Sequence, residues 1–223
     1  MARFEKNNNS HGSLKDLQIL INEKSHLINN ELKKHLNKKI DIKWVSPIKD
    51  DNFSEYRDAD FLNLLGINNN LKIPLNEFWP KNGPQWDALG NDNDTIFIVE
   101  AKANIPELKS PETKASGDSK ILINKSLDSV KEYLNIDKNV NWTSTYYQYT
   151  NRIAHLYYLR VINNIKTYLI FIYFINDNSV NGPKTIEEWK HEINNLHKDI
   201  GLVNDNKLSE YIIDVFIDCN NLK

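Results

Sequence analysis

The sequence predicts a three-layer α/β domain in which a central mixed β-sheet is flanked by helices. Three observations carry that prediction. Segments with helical apolar spacing are interleaved with strand-like runs in the order α-β-α-β-β-α-α-β-α-β. Residues 167–175 are almost continuously apolar, as a central strand covered on both faces requires. Residues 86–91 and 95–103 flank Asp92-Asn93-Asp94 and read as a hairpin.

The elements follow in order. Residues 1–13, with Asn7-Asn8-Asn9, read as a loose arm. Over 14–36 the apolar residues Leu14, Leu17, Ile21, Ile28 and Leu32 mark one helix. In 39–45 Ile40, Ile42 and Trp44 alternate, which predicts a strand. Asn52 with Glu55 three residues later resembles a capping box, opening a short helix that stops at Gly66. Residues 71–84 are rich in turn formers, and 105–118 read as a loop. Helices are expected over 119–135 and 144–162, and a further helix is capped by Thr185 and Glu188. Residues 211–219 form the last strand.

The predicted organisation is a single domain over 14–223. With 40% hydrophobic and 26% charged residues, the composition is that of a soluble globular protein. Neither a secretory leader nor a run long enough to span a membrane is legible. Cys219 is the single cysteine, which excludes an internal disulfide and argues against a cysteine-based zinc site. These features predict a cytoplasmic protein. A net charge of −2 speaks against coating nucleic acid by bulk charge, but not against a local basic cleft. No phosphate loop, calcium loop, HExxH pair or serine elbow is present. Trp79, Trp86 and Trp189 read as packing residues, and His191 and His197 as helix-surface residues.

The chemistry concentrates at the hairpin. Asp87 is followed thirteen residues later by Glu100-Ala101-Lys102 at the end of an apolar strand. A turn at Asn93-Asp94 pairs 87 with 100, 89 with 98 and 91 with 96. Asp87, Glu100 and Lys102 then share one face with Leu89, Ile96 and Ile98. Ala88, Phe97, Val99, Ala101 and Ala103 share the other and suit packing under helices. Two adjacent carboxylates repel unless a cation sits between them or Lys102 neutralises them. Asp87, Glu100 and the Ala101 carbonyl suit Mg²⁺, with Mn²⁺ as the substitute, and Lys102 suits an attacking water. A strand end with solvated, loosely paired charges explains the same three residues.

This pattern resembles the PD-(D/E)XK nuclease superfamily, which includes type II restriction endonucleases. Asp87, Glu100 and Lys102 match its motif aspartate, acid and lysine, although Trp86 stands where proline is common. Phrases from Trp44 onward also resemble a group of uncharacterised bacterial proteins within it. They include Trp44-Val45-Ser46-Pro47, Glu55-Tyr56-Arg57-Asp58, Phe78-Trp79-Pro80 and Tyr146-Tyr147-Gln148-Tyr149. The resemblance implies a restriction-endonuclease-like fold and metal-dependent hydrolysis of DNA by in-line attack of water. It also implies a homodimer as one arrangement. The alternative is a catalytically inactive binding or assembly protein on the same fold.

Further candidates lie outside the motif. On the helix over 144–162, Gln148, Asn151, Arg152 and His155 fall in one narrow arc. That arc lines a substrate cleft or faces solvent. In the superfamily a polar helix after the motif strands often borders the active site. Some members carry Gln and Tyr four residues apart there, where this chain has Gln148 and Arg152. Lys109, Lys114, Lys120 and Lys125 suit contact with a nucleic-acid backbone or a solvated loop. Glu31 and Glu55 are the candidates for a further metal-binding carboxylate, and Glu55 serves equally as a capping residue.

Overall fold

The apolar periodicity resolves into seven helices and five strands among residues 11–223, which the computed structural model describes. In chain order the elements are α1 (Ser13–Glu23), α2 (Ser25–Leu36), β1 (Lys43–Ser46), α3 (Asp58–Leu64) and α4 (Leu75–Phe78). Then come β2 (Ala88–Asp92), β3 (Thr95–Lys102), α5 (Gly117–Leu134) and α6 (Tyr147–Tyr157). The chain ends with β4 (Thr167–Ile175), α7 (Ile186–Asp199) and β5 (Ile212–Asp218). Of the arm expected over 1–13, residues 1–10 lie outside the described residues. Gly12 donates its N–H to Ser179 Oγ at 3.2 Å, and Ser13 already opens α1.

The five strands form one mixed sheet in the order β1-β2-β3-β4-β5. β1, β2 and β3 are antiparallel neighbours, whereas β3, β4 and β5 run parallel. Parallel neighbours need long crossovers, and α5 with α6 and then α7 supply them. The hairpin register is the expected one, with Leu89 opposite Ile98 and Asn91 opposite Ile96.

Strand pleating divides the interior into two cores. Ile96, Ile98, Phe171 and Tyr173 meet Leu127, Val130, Ile153, Leu156 and Trp189 from α5, α6 and α7. On the opposite face Phe97, Val99, Ala101, Ile170 and Ile172 meet Leu17, Leu20, Ile28 and Leu32 from α1 and α2. All residues of β3 are buried, because helices cover it on both sides. The result is the expected three-layer α/β arrangement.

Local boundaries differ from expectation where tertiary geometry overrides pattern. The helix over 14–36 is two, broken at Lys24, whose φ of −129° leaves the helical region. The break re-aims the second half, so both apolar stripes reach the same sheet face. Asn52 adopts a left-handed φ of 51° and does not cap a helix; α3 begins at Asp58 and ends before Gly66. Strand pairing of the 39–45 run begins only at Lys43, although Ile40 and Ile42 are buried. The helix over 144–162 starts at Tyr147, and its last turn, Tyr158–Ile162, widens to π geometry.

Gly90 shows how tightly β1 and β2 meet. A Cβ there would stand 2.8 Å from Ile42 Cγ2 and 2.9 Å from Trp44 Cε3. Gly90→Ala is expected to lower stability by roughly 1–3 kcal/mol through overpacking, read from urea unfolding midpoints at unchanged m.

Candidate active site

Asp87 lies immediately before β2 and donates its N–H to Val99 O at 3.2 Å. It therefore stands beside the end of β3, where Glu100 and Lys102 point to the same sheet face. Asp87 Oδ2 accepts the Ala101 N–H at 2.7 Å. A strand residue presents its N–H and C=O to the same edge, so the Ala101 carbonyl also faces Asp87.

Glu100 is 1% exposed, and two cations compensate its burial. Lys102 Nζ lies 2.5 Å from Oε1. Arg152 donates Nε–H to Oε2 at 2.6 Å, with Nη2 at 2.5 Å from the same oxygen. The guanidinium also donates to Gln85 O at 2.7 Å and Asn151 Oδ1 at 3.0 Å, and lies over the Trp86 ring at 4.9 Å. Lys102 Nζ donates a second bond, 2.8 Å long, to Gln148 Oε1. Gln148 is in turn held by its backbone N–H, which donates to Ser110 Oγ at 2.9 Å.

The polar arc of α6 thus faces the sheet charges and not solvent. Asn151, Arg152 and His155 are all buried. His155 is the member that leaves the site. Its Nδ1 is 2.8 Å from Asn151 O, and the rings of Trp79 and Trp86 surround it. Burial pushes its pKa down to about 3, so it is a neutral packing residue.

The two carboxyl groups shift in opposite directions. Burial, reinforced by the negative charge of Glu100, raises Asp87 to about 7 against the pull of Lys102 and Arg152. Burial also opposes ionisation of Glu100, but Arg152 and Lys102 outweigh it and hold Glu100 below the usual range. Two acids in one site are therefore inequivalent: Glu100 keeps its charge and Asp87 retains a proton near neutrality.

A cleft of about 560 Å³ opens over these groups. Asp87, Lys102, Gln148, Asn151 and Arg152 border it, and so do Glu55, Lys109 and Lys114. The loop carrying the two lysines is tied down by Ser110 N–H to Thr145 O at 2.7 Å and Thr113 N–H to Thr143 O at 3.1 Å. Lys120 is exposed on the first turn of α5 and does not border the cleft. Glu31 is also elsewhere, on α2 beyond the opposite sheet face, paired with Lys34 at 2.6 Å. Of the two candidate further carboxylates, only Glu55 reaches the cleft.

Among the described residues no three His, Cys, Asp or Glu side chains gather to hold a metal on their own. The donor set on offer is mixed: Asp87, the Ala101 carbonyl and Glu100. The pull of Lys102 and Arg152 on Asp87 does not offset its burial, which suits a cation, whereas Glu100 must first exchange a contact with Lys102 or Arg152. One residue escaped sequence reading. The register Glu100–Phe171–Asp214 puts Asp214 on the same sheet face, where burial raises it to about 7 and its Oδ1 has no hydrogen-bond partner. His197, expected on the surface, is half-buried with Nε2 2.8 Å from Tyr149 Oη.

Arg152→Met leaves Glu100 with one cation in place of two and is expected to cost roughly 3–5 kcal/mol in urea unfolding. The shift at Asp87 sets a pH dependence. Its folded pKa lies above the unfolded value, so its contribution to stability is lost as pH rises from about 4 to about 7. In metal-free buffer Asp87→Asn should therefore gain stability relative to wild type across that window and level off above it. Urea titrations at a series of pH values check this.

Among the described residues no helix is long and apolar enough to cross a membrane. No family model, curated protein or solved structure is similar enough to this chain to count as a match.

Proposed function

We propose that this protein is a metal-dependent nuclease of the PD-(D/E)XK type that hydrolyses phosphodiester bonds in DNA. The observation that carries the reading is that Asp87 and Lys102 border one cleft, with Glu100 buried directly behind Lys102 and with Lys109 and Lys114 at the cleft's border. Mg²⁺ or Mn²⁺, when bound, would polarise the phosphoryl oxygen and lower the pKa of the attacking water. Asp87, Glu100 and the Ala101 carbonyl are the residues that would hold it. Lys102 donates a hydrogen bond that orients the water oxygen and offsets charge growing on the phosphate. Gln148 keeps the Lys102 ammonium aligned from the far side. The water oxygen would bond to phosphorus as the in-line P–O ester bond breaks; the water gives its proton up to solvent, and the departing oxygen takes one from solvent to leave as an alcohol. The reading includes a cytoplasmic setting and a homodimer.

One observation favours a second reading, a binding or assembly protein without turnover. Both Glu100 oxygens are occupied by cationic side chains, which competes with a metal.

A cleavage panel over single- and double-stranded DNA and RNA, with Mg²⁺ and Mn²⁺, separates the two. Cleavage of DNA is expected, and Asp87→Ala, Glu100→Ala and Lys102→Ala should each lower it by roughly 10²-fold or more. Persistent cleavage by purified, folded Glu100→Ala would sink the nuclease assignment. Calorimetric titration with each metal should give heat for wild type and none for Asp87→Asn; no heat for either supports the second reading.

A further inference from the structure

A second, smaller cleft of about 280 Å³ lies beside the first, and the two share Trp79 as a wall. Its chemistry differs from that of its neighbour. Leu62, Leu71, Leu75 and Pro74 make it apolar, while the side-chain amides of Asn68 and Asn76 stand on its lining. The ridge between the clefts is the turn Pro80-Lys81-Asn82-Gly83. Asp58 holds that turn in place: its Oδ2 accepts the Asn82 N–H at 3.0 Å and its Oδ1 the Gly83 N–H at 2.9 Å. The Asp58 carboxylate is thereby engaged by backbone donors, and Lys81 is left as the exposed charge on the ridge.

We infer that this second cleft receives one unstacked nucleobase of the strand whose phosphate lies over Asp87 and Lys102. The inference rests on the nuclease reading and extends it to a substrate class: single-stranded DNA, or a duplex with one base turned out. Continuity through Trp79 means that an occupant of the small cleft adjoins whatever fills the large one. A nucleic-acid strand has the matching sequence of chemistry, with a phosphate for the acidic floor and its metal, an anionic linkage for Lys81, and a flat apolar base with polar edges. Apolar walls take the faces of such a base, and an amide can pair with its edge. Paired bases in a duplex point inward, so a base enters a side pocket only after leaving the stack.

The test is binding of a fluorescent single-stranded DNA, read by anisotropy in EDTA so that no cleavage intervenes. One abasic site is stepped along the strand. A single position is expected to weaken binding about tenfold or more, the size of one lost base contact. Ala59→Trp fills the pocket from its exposed rim and replaces no buried residue. It should weaken the intact strand by a similar factor and leave the strand abasic at that position unchanged. Equal affinity at every abasic position overturns the inference, and so does an Ala59→Trp variant that binds both strands alike. If DNA is still cleaved in an Asp87-dependent way, the nuclease reading survives such a result. Absence of both binding and cleavage overturns both.

Discussion

The buried pairing of Arg152 with Glu100 is the interaction on which the rest of this site depends. A carboxylate that is 1% exposed cannot stay ionised without compensation, and the compensation comes from a different layer of the fold. Arg152 belongs to α6, Glu100 to β3, and Gln85, whose carbonyl takes the third contact, to the approach to β2. One guanidinium therefore locks the helical layer, the sheet and the segment that delivers Asp87. Its planar fork presents donors to all three in fixed directions, with two of them converging on one carboxylate oxygen. The Trp86 indole behind it excludes water from one side and strengthens each contact.

That concentration of positive charge explains why the two acids differ. Lys102 and Arg152 both contact Glu100, whereas Asp87 receives one backbone N–H. Burial is common to both carboxyls; the distribution of cations is not. The polar face of α6 follows from the same logic. An amphipathic helix ordinarily turns such a face to water, but here the sheet beneath it presents charges that need partners. Asn151 and Gln148 satisfy the remaining donors, so the stripe is buried and still hydrogen-bonded.

Much of this was legible in the sequence because strand parity is rigid. Once the turn is placed at Asn93-Asp94, period two fixes which residues share a face with Asp87, and the paired register agrees. The arc of Gln148, Asn151 and Arg152 was equally legible from helical geometry. Its direction was not, because solvent and a charged sheet make the same demand on a polar stripe. The lysines show the other limit. Lys109, Lys114 and Lys120 are close in sequence, yet loop hydrogen bonds to Thr143 and Thr145 hold the first two at the cleft. Lys120, on the first turn of α5, does not border it. Glu55 over Glu31, and Asp214 at the far end of the Glu100 row, depend on contacts far apart in the chain, which no local pattern encodes.

On the proposed reading, few contacts would have to change to admit a cation. Lys102 already bonds both Glu100 and Gln148, so exchanging the first contact for a water leaves the ammonium held by the second. Arg152 is anchored independently by Gln85 and Asn151, and keeps its place whichever Glu100 oxygen a cation takes. Asp87 would need only to give up the proton that its burial and the charge of Glu100 retain. The same features suit a protein that never binds metal, since a fully paired Glu100 is stable as it stands. What separates the two cases is the free energy of breaking one Lys102–Glu100 contact against that of placing a divalent charge beside Asp87. A dication held by Asp87 and Glu100 would bring twice the charge of Lys102, which already acts on both carboxyls but bonds only Glu100. That balance turns on how much of its own water the cation would have to shed to enter, set against the second positive charge it would bring.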